Sequence, residues 1–318
     1  MFNWCFIGAG TLAKSVAKEI TESGRHKIVS VYQRNEEKCA HFAREYGAVP
    51  CKTAEEAMSV EGVDGIYVVT PHSSHYEYVR LAINLNKPVL CEKPFTVTKE
   101  EAEDLFRLAK EKNVYVTEAM WTFYAYPARK VLEWKENGEF GDIKKVKLSY
   151  IMNAYKYAPR LTDPNVAGGA LLDIGVYPLT YIYRLFGMPD RIKCRGKIKN
   201  GVDYHEKIKL YYEDKVFTAD VSMKDRRVKE DALIAGEKAT MFTHHFHVTD
   251  NVTLKRKDGT DEYYNGASSM LNEFDLVSEE IRSGVKESPL VPHEATINVM
   301  GIMDECRKQM GLKYPFEK

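Results

Sequence analysis

The chain opens with Phe2-Asn3-Trp4-Cys5-Phe6-Ile7-Gly8-Ala9-Gly10-Thr11-Leu12-Ala13, an apolar run that ends in the pattern G-x-G-x-x-A. A short apolar run that stops at a glycine is typical of a buried strand. After such a strand, Gly8 permits a tight turn and Gly10 lets the backbone approach a pyrophosphate, while Ala13 lets a following helix lie close to the strand. The segment therefore predicts the first βα unit of a dinucleotide-binding domain.

The residues after this turn have the pattern of an amphipathic helix, with Leu12, Val16 and Ile20 on one face. The first N–H groups of a helix have no partner within it, so those at Thr11 and Leu12 favour phosphate groups. We expect this helix N-terminus to bind the cofactor together with the two glycines of the turn.

The end of the second predicted strand, over residues 28–32, decides between NAD and NADP. An acidic residue there would hydrogen-bond the ribose and repel a 2′-phosphate. This chain has Gln33-Arg34-Asn35 and no carboxylate before Glu36. The Arg34 guanidinium can bind a phosphate through two hydrogen bonds and can stack on adenine, although a surface arginine that starts a helix would look the same. We expect NADP as the cofactor, with NAD as an open alternative.

Strands and helices alternate through the first 120 residues. The segments after the second strand predict helices over 36–46, 54–59, 75–83 and 99–112 and strands over 48–51, 65–69, 88–91 and 115–117. Six strands that alternate with helices predict a doubly wound parallel sheet, the Rossmann fold. Residues 1–120 are therefore expected to form an α/β dinucleotide-binding domain.

One loop with polar side chains follows the fourth predicted strand, at the edge where open α/β sheets bind their ligands. Its sequence is Thr70-Pro71-His72-Ser73-Ser74-His75. Thr70, His72 and His75 are candidate cofactor contacts on the ribose or nicotinamide side. His75 could equally cap the helix that follows.

A second loop at this edge begins with Glu92-Lys93-Pro94, after the apolar run 88–91. Pro94 disfavours a helical conformation at Lys93, so the chain leaves the strand extended. The Lys93 ammonium is then expected to point into the cleft, and Glu92 and Lys93 are candidate cofactor contacts. A solvated lysine in a strand-to-helix loop is the alternative.

The pattern changes after Trp121. A helix over 128–135 and a strand over 143–151 precede short alternating segments over 191–197, 204–212, 216–223, 231–234, 240–243 and 251–255, and helices over 268–283 and 293–310 follow. Hairpins of this kind predict an α+β domain over 121–318, with an open, mostly antiparallel sheet. The run His244-His245-Phe246-His247 is interpreted as surface histidines of a hairpin and not as a metal site, because no carboxylate or cysteine nearby in the sequence completes a ligand set.

A buried helix is predicted over residues 168–185, where apolar residues occupy nearly every side. On such a helix Asp173, Tyr177 and Tyr181 share a face. A buried carboxylate and phenol are costly unless they have partners, so they indicate either a site or an Asp–Tyr hydrogen bond that only ties two elements together. Pro178 lacks the N–H that would bond the carbonyl of Ile174, which predicts a kink.

The amino-acid composition gives no indication of a nucleic-acid or membrane partner. The 46 basic and 46 acidic residues balance, so no overall field favours nucleic acid or an anionic membrane. No window has the apolar length of a spanning helix, and we expect no secretory signal before the glycine motif. The six cysteines are scattered without Cys-x-x-Cys spacing, which indicates reduced core thiols and a cytoplasmic protein.

The motifs taken together resemble the glucose–fructose oxidoreductase / inositol dehydrogenase / MocA (Gfo/Idh/MocA) family over essentially the whole chain. The matching pieces are the early G-x-G-x-x-A, Glu92-Lys93-Pro94, and Gly168-Gly169 followed by Asp173-x-Gly175-x-Tyr177. Tyr177 stands where many members carry histidine. With Arg160-Leu161-Thr162-Asp163-Pro164 and Glu118-Ala119-Met120-Trp121-Thr122, this is similar to the branch of dimeric dihydrodiol dehydrogenase and sugar dehydrogenases. One departure is Phe123, where the related pattern usually has arginine.

The resemblance implies NAD(P)-dependent hydride transfer to or from a secondary alcohol of a sugar, polyol or cyclic diol, and pairing of subunits, as a homodimer or higher oligomer, through the open sheet. Tyr177 is then the expected acid or base. Lys93 would lower the pKa of that phenol and stabilise oxyanion charge, and Asp173 would orient the lysine or a substrate hydroxyl. Trp121, Tyr155 and Arg160 are expected to line the substrate pocket, with Trp121 also near the cofactor. No metal is required, since the lysine takes the place of a Lewis acid.

Two alternatives stay open. A protein of this fold could bind NADP(H) as a sensor or regulator without turnover, although a sensor has no need for Lys93, Asp173 and Tyr177 together. Several tyrosines of the second half could stack on a substrate or build a subunit interface, and the interface accounts for more of them. They are Tyr124, Tyr126, Tyr155, Tyr157, Tyr181 and Tyr183.

Overall fold

The computed structural model describes residues 1–156 and 158–317 and divides into two compact units. The first unit contains Met1–Trp121 and Ser269–Thr296, and the second contains Thr122–Ser268 and residues 297–317. The expected single division near residue 120 therefore misses one late segment. Ser269–Thr296 packs in the first unit because Phe274 lies edge-on to the buried rings of Trp4 and Tyr67, each with its centroid 5.0 Å away.

The first unit is built on a parallel sheet. Its strands are β1 (Phe2–Ile7), β2 (His26–Tyr32), β3 (Val49–Cys51), β4 (Gly65–Val68), β5 (Val89–Glu92) and β6 (Val116–Ala119), and its first helices are α1 (Thr11–Glu22), α2 (Glu36–Tyr46), α3 (Ala54–Met58), α4 (His75–Asn84) and α5 (Lys99–Lys112). The strand order is β3-β2-β1-β4-β5-β6. This order reverses between β1 and β4, the kind of switch point at which α/β sheets bind ligands. The prediction of a doubly wound parallel sheet is confirmed.

The helix α1 packs on the sheet through small and branched side chains. Ala13, Val16, Ala17 and Ile20 are buried, at the i, i+3, i+4, i+7 spacing of one helical face. Leu12 is 40% exposed, so the buried face begins one residue later than predicted. Ala13 is thus the first residue to lie close to the sheet.

The second unit is built on eight strands. In chain order its elements are α6 (Trp121–Tyr124, which begins on the last residue of the first unit), α7 (Tyr126–Glu136), β7 (Ile143–Ile151), α8 (Val176–Phe186), β8 (Arg191–Lys199), β9 (Val202–Tyr212), β10 (Lys215–Ser222), β11 (Lys229–Gly236), β12 (Ala239–His244), β13 (Asn251–Arg256) and β14 (Glu262–Asn265). Two further helices close the chain, α9 (Met270–Ser283), which belongs to the first unit, and α10 (His293–Met310). The strand order is β14-β13-β12-β11-β7-β10-β9-β8. Among the described strands of this eight-stranded sheet only the β7–β10 pair is parallel, which confirms the mostly antiparallel sheet.

The two faces of this sheet differ. One face is covered by α8, and the strands bury apolar side chains there such as Leu148, Ala219 and Ala232. On the opposite face, the strand register aligns six side chains in one row across six neighbouring strands. They are Phe242, Leu233, Lys147, Thr218, Lys209 and Lys193. Phe242 and the three lysines are exposed.

The helix predicted over 168–185 is not regular. A π turn over Leu171–Gly175 precedes α8, so Pro178 falls in the first turn of α8, where a missing N–H costs no hydrogen bond within the helix. The predicted kink at Pro178 is therefore replaced by a wider turn before it. Asp173 lies in that π turn, so its spacing to Tyr177 does not follow α-helical geometry.

Across residues 1–156 and 158–317, no helix combines the length and apolar character that a bilayer span requires. The six cysteines are free thiols, of which five are buried and Cys51 is half-buried.

Candidate active site

The turn after β1 has the backbone geometry that close approach to a phosphate requires. Gly8 has a φ of +117°, and a Cβ built on it would lie 2.5 Å from the carbonyl oxygen of Val69. A Cβ built on Gly10 would meet no described atom within 4 Å, so the space over this residue is open. Gly10 is also the N-cap of α1, and glycine has no side chain with which to cap the first N–H groups. The predicted set of Gly8, Gly10, Thr11 and Leu12 therefore fits a dinucleotide phosphate.

Arg34 lies exposed directly after β2. Its backbone N–H donates to the side chain of Gln33 at 2.8 Å. The helix α2 is capped by the next residue, Asn35, whose side-chain oxygen accepts a hydrogen bond from the N–H of Lys38 at 2.8 Å. Arg34 thus stands before the helix at the carboxyl end of β2, the position from which a guanidinium can bind a 2′-phosphate.

His75 ties two loops of the first unit together. Its ring is fully buried, and its two nitrogens lie 2.9 Å from the carbonyl oxygens of Pro94 and Thr70. Burial lowers the pKa of His75 to about 4, against the opposing effect of the two carbonyls. The alternative that His75 caps α4 is wrong, because Ser74 is the N-cap and the imidazole bonds carbonyl groups instead of helix N–H groups. His75 therefore shapes the loops that begin at Thr70 and Lys93.

The other two residues predicted in this loop lie close to that brace. The hydroxyl of Ser74 donates to the Thr70 hydroxyl at 2.9 Å. His72 is buried, with its ring centroid 5.9 Å from that of His75. Their contacts with a cofactor stay predictions.

Carboxyl groups are buried beside Lys93 at the carboxyl edge of the sheet. Glu92 ends β5 and accepts hydrogen bonds from the Tyr67 hydroxyl at 2.6 Å and from the Lys93 N–H at 3.2 Å. The next strand, β6, runs to Ala119 and thereby holds Glu118 inside the sheet, whereas the predicted strand stopped before it. Lys93 itself is half-buried.

Glu118 has a perturbed acidity. Burial raises the pKa of Glu118 to about 7, and the charge of Glu92 acts in the same direction. Hydrogen bonds from the Thr296 hydroxyl at 2.9 Å and the Phe95 N–H at 3.0 Å oppose that rise, as does the Lys93 ammonium. This carboxyl therefore titrates nearer to neutral pH than an ordinary glutamate.

A third carboxyl, Glu273 of α9, is fully buried, and its oxygens have no hydrogen-bond partner among the residues described. Burial, with repulsion from Glu92 and Glu118, raises the pKa of Glu273 well above its ordinary value. Its environment therefore favours the neutral form of the carboxyl. Sequence reasoning missed it because nothing local in α9 indicates which unit the helix packs against.

In the second unit, Asp173 and Tyr177 are buried at the start of α8. The Arg160 guanidinium donates to Asp173 Oδ1 at 2.9 Å, which brings together two of the predicted site residues. Arg160 keeps about half of its side chain exposed, at 47%, so the ion pair reaches the surface. Lys93 belongs to the first unit and Tyr177 to the second, so their joint action stays a prediction.

The aromatic neighbours of Tyr177 were not predicted. Its ring centroid lies 5.0 Å from that of His247 and 5.8 Å from that of Tyr150. His247 Nε2 is 2.9 Å from the Tyr150 hydroxyl, and His247 Nδ1 is 3.5 Å from Glu230 Oε2. The interpretation of the histidine run as a surface hairpin is therefore wrong for His247, which is buried, while His244 and His245 are exposed beside acidic residues. The pairing of Glu230 with Tyr150 on neighbouring strands, which the sequence does not reveal, brings a carboxylate and a phenol together beside this histidine.

Tyr155 has its hydroxyl committed to a backbone contact. The hydroxyl donates to the Asp203 carbonyl oxygen at 2.7 Å, and the Asp203 side chain accepts from the N–H groups of Ala170 and Leu171. This brace fixes the start of the π turn that carries Asp173. The ring of Tyr155 is half-buried, and its contact with substrate stays a prediction.

Several residues near Trp121 pack as core. Trp121 is half-buried, whereas Phe123 is 1% exposed, with the Arg184 guanidinium 5.0 Å from its ring. With phenylalanine instead of arginine at position 123, the side chain there is an apolar ring that lies against the Arg184 guanidinium. Tyr124 and Tyr181 are buried in the second unit, so they do not belong to a subunit surface. Tyr157 lies outside the described residues.

Comparison with protein families agrees with this geometry. The model of the Gfo/Idh/MocA oxidoreductase family with its NAD-binding Rossmann fold matches residues 2–120. The model of the Gfo/Idh/MocA C-terminal domain matches residues 128–242. The chain belongs to the Gfo/Idh/MocA oxidoreductase family.

Curated relatives of this Gfo/Idh/MocA protein span its full length. It is 29% identical to trans-1,2-dihydrobenzene-1,2-diol dehydrogenase of Mus musculus, over 99% of this chain and 98% of the relative. It is 28% identical to the NADP(+)-dependent D-xylose 1-dehydrogenase of Hypocrea jecorina, over 98% and 93% of the two chains. It is also 28% identical to the NADP(+)-dependent scyllo-inositol 2-dehydrogenase of Bacillus subtilis, over the whole of both.

Among solved structures, a 3-ketoreductase of Actinomadura kijaniata, crystallised with NADP and TDP-benzene, has the same fold as this Gfo/Idh/MocA protein. The TM-score is 0.86 at 20% identity, over 97% of this chain and 98% of that one. The predicted family and fold are thereby confirmed.

Proposed function

We propose that this oxidoreductase transfers a hydride between NADP(H) and a secondary alcohol or carbonyl of a sugar, polyol or cyclic diol. The observation that carries the proposal is the buried Tyr177, held with Asp173 at the start of α8 in the unit that we expect to bind substrate. A buried carboxylate and phenol are costly unless they have partners, and Asp173 has one in Arg160. The relatives named above act on a diol, a sugar and an inositol, which are all alcohols of this class.

The cofactor proposal depends on residues of the first unit. The backbone of Gly8, Gly10, Thr11 and Leu12 would hold the pyrophosphate at the N-terminus of α1. Arg34 would bind the 2′-phosphate and so favour NADP over NAD. Bound NADP(H) would accept or donate the hydride at the reacting carbon. Thr70, His72, Glu92 and Trp121 remain proposed contacts nearer the nicotinamide.

The protein's own residues would move the proton and hold the charge. Tyr177 would take the proton from the substrate hydroxyl as the carbonyl forms, and would return it in the reverse reaction. The Lys93 ammonium would stabilise negative charge on the reacting oxygen and on the phenolate. Asp173 would hold a substrate hydroxyl, with Arg160 fixing its orientation through their ion pair. Arg160 and Tyr155 would line the substrate pocket.

The experiment is a panel of aldoses, inositols and cyclic diols, assayed with NADP and NAD on wild-type protein and on Tyr177→Phe. We expect turnover of at least one substrate with NADP, and a loss of about 10²- to 10⁴-fold in the variant, the usual contribution of a general acid or base. Tyr181→Phe is the matched control, because it removes the same hydroxyl from a buried tyrosine one turn later on α8. Binding of NADPH without turnover of any substrate would instead favour a sensor.

We also propose a homo-oligomer that pairs through the exposed face of the eight-stranded sheet. Phe242 offers apolar area there, but Lys147, Lys193 and Lys209 stand in the same row and repel a second copy. Because salt screens exposed charges, association through this face should strengthen with ionic strength. Sedimentation at several salt concentrations tests this, and a monomer at all of them would refute it.

The free thiols favour a cytoplasmic location, which cell fractionation tests.

A further inference from the structure

A chain of polar groups leads from the neighbourhood of Tyr177 to the surface of the second unit. It begins at Tyr150 of β7, whose ring lies beside that of Tyr177. The Tyr150 hydroxyl is 2.9 Å from His247 Nε2, and His247 Nδ1 is 3.5 Å from Glu230 Oε2. Glu230 Oε2 is in turn 2.9 Å from Nδ1 of His245.

The burial of these groups changes along the chain. Tyr150 is 7% exposed and His247 9%, while the side chain of Glu230 is 10% exposed and that of His245 61%. The path therefore ends at an imidazole in contact with solvent. Its members come from different elements, which the sheet brings together because Glu230 of β11 and Tyr150 of β7 are direct cross-strand partners.

We propose that His247, with Tyr150 on one side and Glu230 on the other, exchanges the catalytic proton of Tyr177 with solvent. This inference rests on the proposed role of Tyr177. When the substrate alcohol is oxidised, its proton passes to Tyr177 and then to the Tyr150–His247 pair, which leaves Tyr177 ready for the next turnover. No electrons move in this step, and the proton leaves through Glu230 and His245. Reduction uses the same path in the opposite direction.

The chemistry of each member suits this task. Imidazole gains and loses protons near neutral pH and has two nitrogens, so it can accept a proton on one side while the other faces a carboxylate. Glu230 stabilises the imidazolium, as an opposite charge within 4 Å does. Tyr150 cannot hold negative charge for long, because burial and repulsion from Tyr177, Glu230 and Asp173 raise its pKa far above the ordinary value. It therefore passes a proton on without storing it.

The charged and titratable groups around His247 come from each packed element. Tyr177 faces it from α8, and Asp173 of the π turn, which is paired with Arg160, acts electrostatically on Tyr150. Tyr150 faces it from β7 and Glu230 from β11. On α6, the Thr122 hydroxyl donates to the His247 carbonyl oxygen at 3.1 Å and fixes the loop without charge.

The first test needs neither cofactor nor substrate. The titration of His247 is followed by NMR in the cofactor-free full-length protein, with the resonance assigned from His247→Asn. Glu230→Gln should lower the pKa of His247 by about 1 to 3 pH units, because it removes the charge that stabilises the imidazolium. Asp231→Asn is the matched control. Asp231 follows Glu230 on β11, and its carboxylate pairs with the exposed His244. An unchanged His247 titration in Glu230→Gln overturns the proposal.

The second test uses the complete enzyme. His247→Ala should lower turnover by about 10-fold or more and should recover part of it when imidazole is added, because the free base replaces the missing ring. Tyr150→Phe should lower turnover as well and should gain nothing from imidazole. His244→Asn should keep wild-type turnover. A merely structural His247 would lower the melting temperature without any rescue, and wild-type turnover in His247→Ala would overturn the proposal. Failure of the proposed function is distinct, because the wild-type protein would then lack turnover altogether.

Discussion

The buried Glu118 predicts a pH dependence of stability that one substitution removes. The pKa of Glu118 is raised from 4.5 to about 7 in the folded protein. Between these values the folded state holds a proton on this carboxyl that the unfolded state has lost, so stability falls as the pH rises. At 1.36 kcal/mol per pH unit, the loss is about 3 kcal/mol and is complete just above pH 7.

Glu118→Gln should abolish this loss, because the amide is neutral at every pH. It retains an oxygen for the Phe95 N–H and gains an N–H that can donate to the Thr296 hydroxyl. Relative to wild-type protein, the variant should gain about 3 kcal/mol in the free energy of unfolding on going from pH 5 to pH 8. Urea unfolding followed by circular dichroism at a series of pH values measures this difference.

Other titratable groups in the first unit also make the free energy of unfolding depend on pH, both in the wild-type protein and in Glu118→Gln. The pKa of His75 is lowered to about 4, so the stability that this residue contributes is lost as the pH falls below its ordinary value of 6.5, the opposite sign to Glu118. Glu273 acts in the same direction as Glu118, since its pKa is raised. Subtraction of the two curves removes the effect of His75, whereas Glu273 loses the repulsion of the Glu118 charge in the variant, which lessens the rise of its pKa. Glu103→Gln, on the exposed side of α5, should run parallel to wild type. A parallel curve for Glu118→Gln as well would refute the reasoning.

The remaining predictions concern the cofactor and Lys93. Lys93→Met should leave NADPH affinity near the wild-type value and lower turnover by about 10²-fold or more, and stopped-flow NADPH oxidation at the wild-type rate would contradict the mechanism. Arg34→Ala should weaken NADPH roughly 10-fold while NADH changes little, since one charge-assisted contact is lost; equal effects on both would discard the NADP assignment. Gly8→Ala should cost about 1–3 kcal/mol of stability because of its φ of +117° and the contact with Val69, whereas Gly10→Ala should keep stability and weaken dinucleotide binding.

The fold class could be predicted from the sequence because the spacing of apolar residues changes along the chain. Runs such as 2–7 and 88–91 have both faces buried and alternate with helices, while segments of the second half alternate residue by residue. The π turn was not readable. Pro178 indicated an irregular helix, but the position of the irregularity is set by Asp203, which holds the N–H groups of Ala170 and Leu171 from a distant strand.

The candidate site was predictable where chemistry and position are local. Glu92, Lys93, Asp173 and Tyr177 could be singled out because each is polar within an apolar segment. The environment of Tyr177 could not, because His247 is brought to it by a pairing between residues 97 positions apart in the sequence, Tyr150 and His247. A histidine in a polar turn reads as exposed until the strand registers are known.

The late segment that completes the first unit has a consequence for synthesis. Trp4 and Tyr67 leave the ribosome more than two hundred residues before Phe274, the ring that finally covers them. Two hydrogen bonds of the first unit also form only after these late residues are synthesised. The Thr296 hydroxyl donates to Glu118, and the Tyr115 hydroxyl donates to Glu280. During translation the nascent Rossmann segment therefore exposes an aromatic patch, which a holdase chaperone could shield until the last helices emerge.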